Sequence, residues 1–118
     1  MPRDVLVYLE DILTAISRIK TYTRNEKLER FRKDLKTIDA TVRNLEIIGE
    51  AVKKLPVDIR MQQPSIEWQK IAGLRDILIH EYFGIDAEII WDIIQNKLGS
   101  LETSCQKILK EKTSESKD

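Results

Sequence analysis

The sequence predicts an all-α protein, an antiparallel up-and-down bundle of four to five helices. Three observations favour this fold class. The chain has only four Gly and three Pro among 118 residues, which leaves little material for turns. Apolar residues recur at steps of three and four along most of the chain, whereas the alternation typical of strands is hard to find. The segments between the apolar stripes are short, and short connections favour antiparallel neighbours.

Two long helices are predicted in the N-terminal half. The first runs from about Asp4 to Thr21, and its acidic first turn suits a helix start. The second runs from about Glu26 to Lys54 as one element, with Asn25 as its candidate cap. Gly49 lies inside it, where close contact between helices is one reason to accept a glycine. The apolar stripe of this second helix is Leu28, Phe31, Leu35, Ile38, Val42, Leu45, Ile48 and Val52.

Prolines divide the middle of the chain. Pro56 ends the second helix, and residues 57–63 are predicted to form a short turn or helix that Pro64 ends. Ser65 is then a candidate cap for a third main helix, which is expected from about Ile66 to His80.

The last predicted helix runs from about Ala87 to Lys110, with Asp86 as its cap. Its apolar pattern includes Ile89, Ile90 and Trp91. Residues 111–118 are polar throughout and are predicted to be a flexible tail. The domain is therefore expected to span residues 1–110.

Charge is balanced overall but unevenly distributed. Lys plus Arg and Asp plus Glu number 20 each, which argues against a general polyanion binder. Residues 18–36 are nevertheless strongly basic, with only Glu26, Glu29 and Asp34 as acidic residues. If RNA binds, this stretch is the first place to expect it, and the alternative is an ordinary solvated helix face.

Cysteine content and hydropathy exclude several classes. The single Cys105 rules out an internal disulfide and argues against a Cys-based zinc site, so it is expected to be a small core or interface residue. No apolar run approaches the ~20 residues needed to cross a bilayer, and no signal peptide is recognised. A cytoplasmic protein without membrane association is the expectation.

The only histidine lies in the segment Arg75-Asp76-Ile77-Leu78-Ile79-His80-Glu81-Tyr82. On a continuous helix, Arg75 and His80 would be about 140° apart around the axis and about 7.5 Å apart along it. Either the helix ends near His80, or a second chain completes a site. The structural alternative is that Arg75 pairs with a carboxylate and His80 caps the helix end.

This segment resembles the motif of the HEPN domain family, and the chain is similar to its HepT-like ribonuclease toxins over nearly its whole length. Arginine, four residues, histidine, one residue and tyrosine form the pattern. Arg43–Ala51, Trp68–Arg75 and His80–Phe83 resemble the signatures of that group, as do Ile85-Asp86 and Trp91. Asp76 departs from the asparagine that many relatives carry, and an acidic neighbour would damp the positive field of Arg75.

The resemblance implies a metal-independent endoribonuclease that cleaves tRNA or mRNA and needs neither a cofactor nor a metal. His80 would transfer protons and Arg75 would hold the phosphate. The family also implies a homodimer whose two motifs face each other across the interface. Supporting roles are open for Asp76, Glu81, Arg43 and Asn44.

Regulation is implied as well. In the family, the tyrosine corresponding to Tyr82 is AMPylated by a partner, a nucleotidyltransferase (MNT-domain) antitoxin, in a type VII-like toxin–antitoxin system. The alternative is a non-catalytic HEPN module that dimerises and binds a nucleotidyltransferase. A third reading, a helical adaptor with a coincidental motif, predicts no cleft at a dimer interface.

Overall fold

The helices of this chain are seen in a computed structural model that describes residues 3–74, 76, 78 and 87–116. No strand occurs among these residues, and the predicted all-α fold class is confirmed. None of the helices found in them is both long and apolar enough to cross a bilayer. The helices are α1 (Arg3–Thr23), α2 (Leu28–Lys33), α3 (Leu35–Lys54), α4 (Val57–Arg60), α5 (Trp68–Ala72), α6 (Ala87–Asn96) and α7 (Leu98–Ser116).

The core lies between α1, α3 and α7, since α1 packs on both of the others. Near one end of α1, the Lys54 ammonium at the end of α3 lies 5.6 Å from the centre of the Tyr8 ring. Near the other end, Lys20 pairs with Glu102 in the first turns of α7. Both α3 and α7 therefore run opposite to α1, as expected for an up-and-down bundle. The side chains sealed between the three helices include Leu9, Ile12, Ile16, Ile19, Leu45, Ile48, Val52, Leu101, Cys105 and Ile108.

The predicted second helix is two helices, α2 and α3, because the chain breaks at Asp34. The Asp34 backbone leaves helical geometry at φ −96° and ψ 80°. Its carboxylate accepts hydrogen bonds from the Thr37 backbone N–H at 3.1 Å and from the Thr37 hydroxyl at 2.6 Å. An aspartate that caps a new helix competes with continuation of the old one, so the single helix predicted from Glu26 to Lys54 was wrong.

Asn25 does not cap α2. It adopts a positive φ of 67°, a left-handed conformation that asparagine tolerates better than most residues. The residue that precedes α2 is Lys27, and its side chain makes no capping hydrogen bond. Asn25 therefore serves the turn that leaves α1, and the prediction that it caps the second helix was wrong.

The third predicted helix begins later than expected. α5 starts at Trp68, and Glu67 rather than Ser65 is the residue that precedes it. Ser65 belongs to a turn instead, where the Trp68 indole N–H donates to the Gln63 carbonyl at 3.0 Å. This bond satisfies the only polar atom of a buried indole, which favours starting the helix at the tryptophan.

The predicted last helix is interrupted once and then extends further than expected. Lys97 separates α6 from α7, although backbone hydrogen bonds continue across it, from Lys97 N to Ile93 O at 2.9 Å and from Leu101 N to Lys97 O at 3.3 Å. α7 runs to Ser116, beyond the predicted end at Lys110. Residues 111–116 contain no Pro or Gly, so polarity alone did not mark a helix end.

Candidate functional site

Four of the predicted site residues, Arg75, His80, Glu81 and Tyr82, lie outside the described residues, and so does the candidate cap Asp86. The structure describes the elements on both sides of them. On one side are α5 and the helical positions 74, 76 and 78, and on the other side α6 begins at Ala87. The structure therefore shows the helices that lead into and out of the candidate site, up to residue 78 and from residue 87.

The frame before the motif is anchored by two leucines. Leu74 and Leu78, one helical turn apart, are both buried in the core. Asp76, which lies between them in sequence, has helical backbone geometry and is exposed. Residues two positions from a buried stripe lie on the opposite side of a helix. The Asp76 carboxylate therefore lies on the exposed side of this segment.

Arg43 and Asn44, two predicted supporting residues on α3, lie on different sides of that helix. Arg43 is exposed. Asn44 is only 5% exposed, and its side-chain N–H donates to the Ala40 carbonyl at 2.9 Å. The Asn44 side-chain oxygen and the hydroxyl of buried Thr41 find no hydrogen-bond partner among the described residues. The two residues therefore do not act together at one site: Arg43 points to solvent and Asn44 points into the core.

Arg43 instead belongs to a polar groove between α1 and α3, with a volume of about 420 Å³. The two acidic residues that line it from α3, Glu46 and Glu50, are half-buried, and Tyr8 and Asp11 line it from α1. The sequence analysis missed this α1 wall. Tyr8 and Asp11 are three residues apart in the predicted first helix, so their shared face was available as a signal.

The groove mixes both signs of charge. Asp11 lines it from α1, whereas Glu46, Glu50, Arg43 and Lys54 line it from α3. The Lys54 ammonium lies over the Tyr8 ring. Within the described part of the chain, no three His, Cys, Asp or Glu side chains are grouped so that they could hold a metal ion. A groove of this composition suits hydrogen bonding with a polar partner.

The two tryptophans are packing residues, as predicted. Trp68 is buried. Trp91 is partly buried against the core, and its ring packs on Phe31 with 5.1 Å between ring centres. This contact joins α2 to α6, the helix that follows the candidate site in sequence.

Cys105 is a core residue, one of the two expected possibilities. It is fully buried, and burial raises the pKa of its thiol to about 12. A thiol in this state is not a nucleophile near neutral pH. Cys105 therefore takes no part in the chemistry of the candidate site.

Comparison with known proteins gives consistent matches. Residues 12–108 match a family model described as "Ribonuclease HepT-like". A protein of Methanocaldococcus jannaschii whose name begins "Putative RNase" is 46% identical over 112 residues, which cover 94% of this chain and 93% of that protein. The "Probable ribonuclease HepT" of Thermococcus cleftensis is 43% identical over 110 residues, which cover 93% of this chain and 100% of that protein. Among solved structures, none matches the chain significantly.

Proposed function

The chain belongs to the HepT-like ribonuclease family, and from that premise we propose that it is a metal-independent endoribonuclease and the toxin of a toxin–antitoxin pair. One observation carries the proposal. The complete set Arg75, His80 and Tyr82 lies within residues 12–108, which match the family model. His80 and Arg75 are residue types that metal-free RNA cleavage can use, the first to transfer protons and the second to hold the phosphate.

The proposed reaction is an internal phosphoryl transfer. The ribose 2′-oxygen attacks the adjacent phosphorus, the bond from phosphorus to the leaving 5′-oxygen breaks, and a 2′,3′-cyclic phosphate and a 5′-hydroxyl result. One proton leaves the 2′-hydroxyl and one is delivered to the 5′-oxygen. Imidazole is the side-chain group that gains and loses a proton near neutral pH, so His80 serves this transfer. The guanidinium of Arg75 holds the phosphate and stabilises the charge that builds on its oxygens.

We place the site at the interface of a two-fold homodimer, where the motifs of two subunits face a shared cleft. A separation of about 140° around one helix does not bring Arg75 and His80 of the same chain onto one face. A second copy supplies the missing group without a change in the chain's own helix. The buried Leu74 and Leu78 support this arrangement, because they fix one face of the preceding segment against the core.

Control by a nucleotidyltransferase antitoxin completes the proposal. The Tyr82 hydroxyl would attack the α-phosphorus of ATP, forming a phosphodiester with AMP and releasing pyrophosphate and a proton. The added nucleotide introduces bulk and negative charge beside the cleft and repels the phosphates of RNA.

The test of the nuclease assignment is cleavage of total tRNA by the purified protein in the presence of EDTA. The wild type is expected to cleave, and Arg75→Ala and His80→Ala are each expected to lose about 10²-fold or more in rate. Lys107→Ala removes an exposed cation of α7 and is the matched control, with unchanged cleavage. Full activity in both site variants, with all proteins dimeric by size-exclusion chromatography, would reject the assignment.

The test of the control step is intact-mass and peptide mass spectrometry after co-expression with the nucleotidyltransferase encoded beside it. One or more AMP groups are expected on Tyr82 and none on Tyr82→Phe. Tyr22, 41% exposed, is the internal control and should stay unmodified, which separates recognition of the site from labelling of any accessible phenol.

A non-catalytic interaction module is the second candidate, and Asp76 is the observation that favours it. Asp76 follows Arg75 directly in sequence and is exposed, so a carboxylate accompanies the guanidinium that would hold phosphate. This candidate predicts tight binding of the nucleotidyltransferase and silence in the tRNA assay. Asp76→Asn distinguishes the two, because it should increase cleavage if the carboxylate only weakens a working site.

A further inference from the structure

Exposed cations gather where α1 ends and α3 begins. Arg24 follows α1, Lys27 precedes α2, Arg30 and Lys33 lie on α2, and Lys36 lies in the first turn of α3. All five side chains are exposed. None forms an ion pair with any residue that the structure describes. We call these five residues the basic surface.

The basic surface has five cations, and the three acidic residues of the same segment compensate this charge only in part. Asp34 accepts both hydrogen bonds from Thr37. These bonds lower the pKa of its carboxyl, so it keeps its negative charge, and it attracts the nearby Arg30. One carboxylate oxygen of Glu26 is sealed from solvent without a hydrogen-bond partner among the described residues. Burial and the neighbouring Asp34 raise the pKa of Glu26. Glu29 is exposed beside the cations, and the basic surface as a whole keeps an excess of positive charge.

The position of α2 connects the basic surface to the candidate site. Phe31 of α2 is fully buried and packs on Trp91 of α6. Arg32 pairs with Glu88, one residue after the start of α6 at Ala87. The chain reaches Ala87 directly from the segment that holds His80 and Tyr82. The helix that carries part of the basic surface, α2, therefore packs against α6, the helix that follows the candidate site in sequence.

We propose that the basic surface binds the phosphate backbone of the RNA substrate and holds it beside the candidate site. The inference rests on the proposed ribonuclease function and adds the surface that recognises the substrate. Exposed Lys and Arg side chains in excess of acidic ones attract phosphates without reading sequence. Tyr22, exposed on the last turn of α1 two residues before Arg24, offers a ring on which an unpaired base stacks.

RNA fits this surface better than an acidic protein does. Protein interfaces are built around a buried apolar and aromatic centre, with charges depleted there. On α2 the apolar side chain Phe31 faces inward and is fully buried, and the outward positions carry charge. The exposed apolar side chains of this segment are Tyr22 and Leu35. They are outnumbered by the five cations, so the surface suits a polyanion better than a partner that needs an apolar centre.

The experiment measures RNA binding as a function of salt by fluorescence anisotropy, with labelled tRNA and a short unpaired RNA as probes. The triple variant Lys27→Gln, Arg30→Gln, Lys33→Gln is compared with a matched control in which Lys53, Lys107 and Lys110, all exposed on other faces, are changed to Gln. Both are made in the His80→Ala protein so that the probes stay intact. Circular dichroism verifies the helical content of each variant.

The triple variant is expected to bind RNA about tenfold more weakly or worse at low salt. The slope of log K against log salt concentration should become shallower by about 2, since each of three lost phosphate contacts contributes ~0.7 for a single strand. The control should change affinity less than twofold. Equal affinity and equal slope in both variants would overturn the proposal, as would loss of nucleotidyltransferase binding with RNA binding intact.

Cleavage by the same triple variant with His80 restored separates the two proposals. If the wild type cleaves RNA and the triple variant binds and cleaves equally well, the basic surface is refuted and the nuclease assignment stands. If the wild type binds RNA through the basic surface but never cleaves it, the surface stands and the nuclease assignment fails. A wild type that neither binds nor cleaves refutes both.

Discussion

Replacing Phe31 by Ala tests how α2 is held in place. Phe31 is 0% exposed, and its ring packs on Trp91 at 5.1 Å between centres with 44° between planes. Removing a fully buried phenylalanine costs about 3–5 kcal/mol in general, of which the aromatic pair contributes ~0.5–1.5 kcal/mol. We therefore expect Phe31→Ala to lower the free energy of unfolding by about 4 kcal/mol.

The assay is urea denaturation followed by circular dichroism. With a slope near 2 kcal/mol per molar urea, typical of small domains, the midpoint should fall by about 2 M. α2 has six residues, too few to be stable as a helix in water, so hydrogen exchange should also lose protection across it. Leu35→Ala is the matched control, because Leu35 is 70% exposed and exposed substitutions stay within about 0.5 kcal/mol. A loss below about 1 kcal/mol for Phe31→Ala would refute the reasoning.

Three further predictions concern buried polar and ionisable groups. Asn44→Asp places a carboxylate beside the Ala40 carbonyl in a site that is 5% exposed, and it should lower the free energy of unfolding in urea by about 3 kcal/mol. The control Arg43→Gln, on the exposed side of α3, should change it by under ~0.5 kcal/mol. Equal effects of the two substitutions would contradict the burial of Asn44. Because burial, and then Asp34, raise the pKa of Glu26 above 4.5, ionised Glu26 opposes folding at neutral pH. Glu26→Gln should therefore raise the thermal midpoint at pH 7, with the gain disappearing as the pH falls below 4.5, and an unchanged midpoint at pH 7 would contradict this. Burial raises the pKa of the Cys105 thiol to about 12. The thiol should therefore resist a disulfide reagent at pH 8 in the native protein and react once urea unfolds it. Rapid labelling of the native protein would contradict the burial of Cys105.

The all-α fold was predictable because the apolar residues of α1, α3 and α7 recur every three or four positions, which places them on one face of each helix. Where the sequence analysis was wrong, the apolar period carried no information about the break. Leu28, Phe31, Leu35 and Ile38 keep steps of three and four through Asp34, yet the change of helix axis there leaves Leu35 70% exposed. The period alone does not distinguish a continuous helix from two helices in similar register, whereas the capping bonds of Asp34 do.

The candidate site was predictable in its residues more than in its surroundings. The motif was found because Arg75, His80 and Tyr82 stand in a recognisable order. The role of their neighbours depends on which way each side chain faces. Arg43 and Asn44 are adjacent in sequence but about 100° apart around α3, so one is exposed and the other buried. The presence of Arg43 and the α1 residues in one groove depends on how two helices dock, which no local pattern encodes.

The account's central claim is that Arg75 of one subunit and His80 of its partner form one site, and complementation between two inactive variants tests it most directly. Arg75→Ala and His80→Ala proteins are mixed, dissociated and reassociated, and cleavage of tRNA is measured. Random pairing in a two-fold dimer makes about half of the dimers mixed, each with one intact composite site, so about a quarter of the wild-type activity should return. If each site is formed within one chain, every site in the mixture lacks one group. An inactive mixture with mixed dimers demonstrably present would contradict the claim.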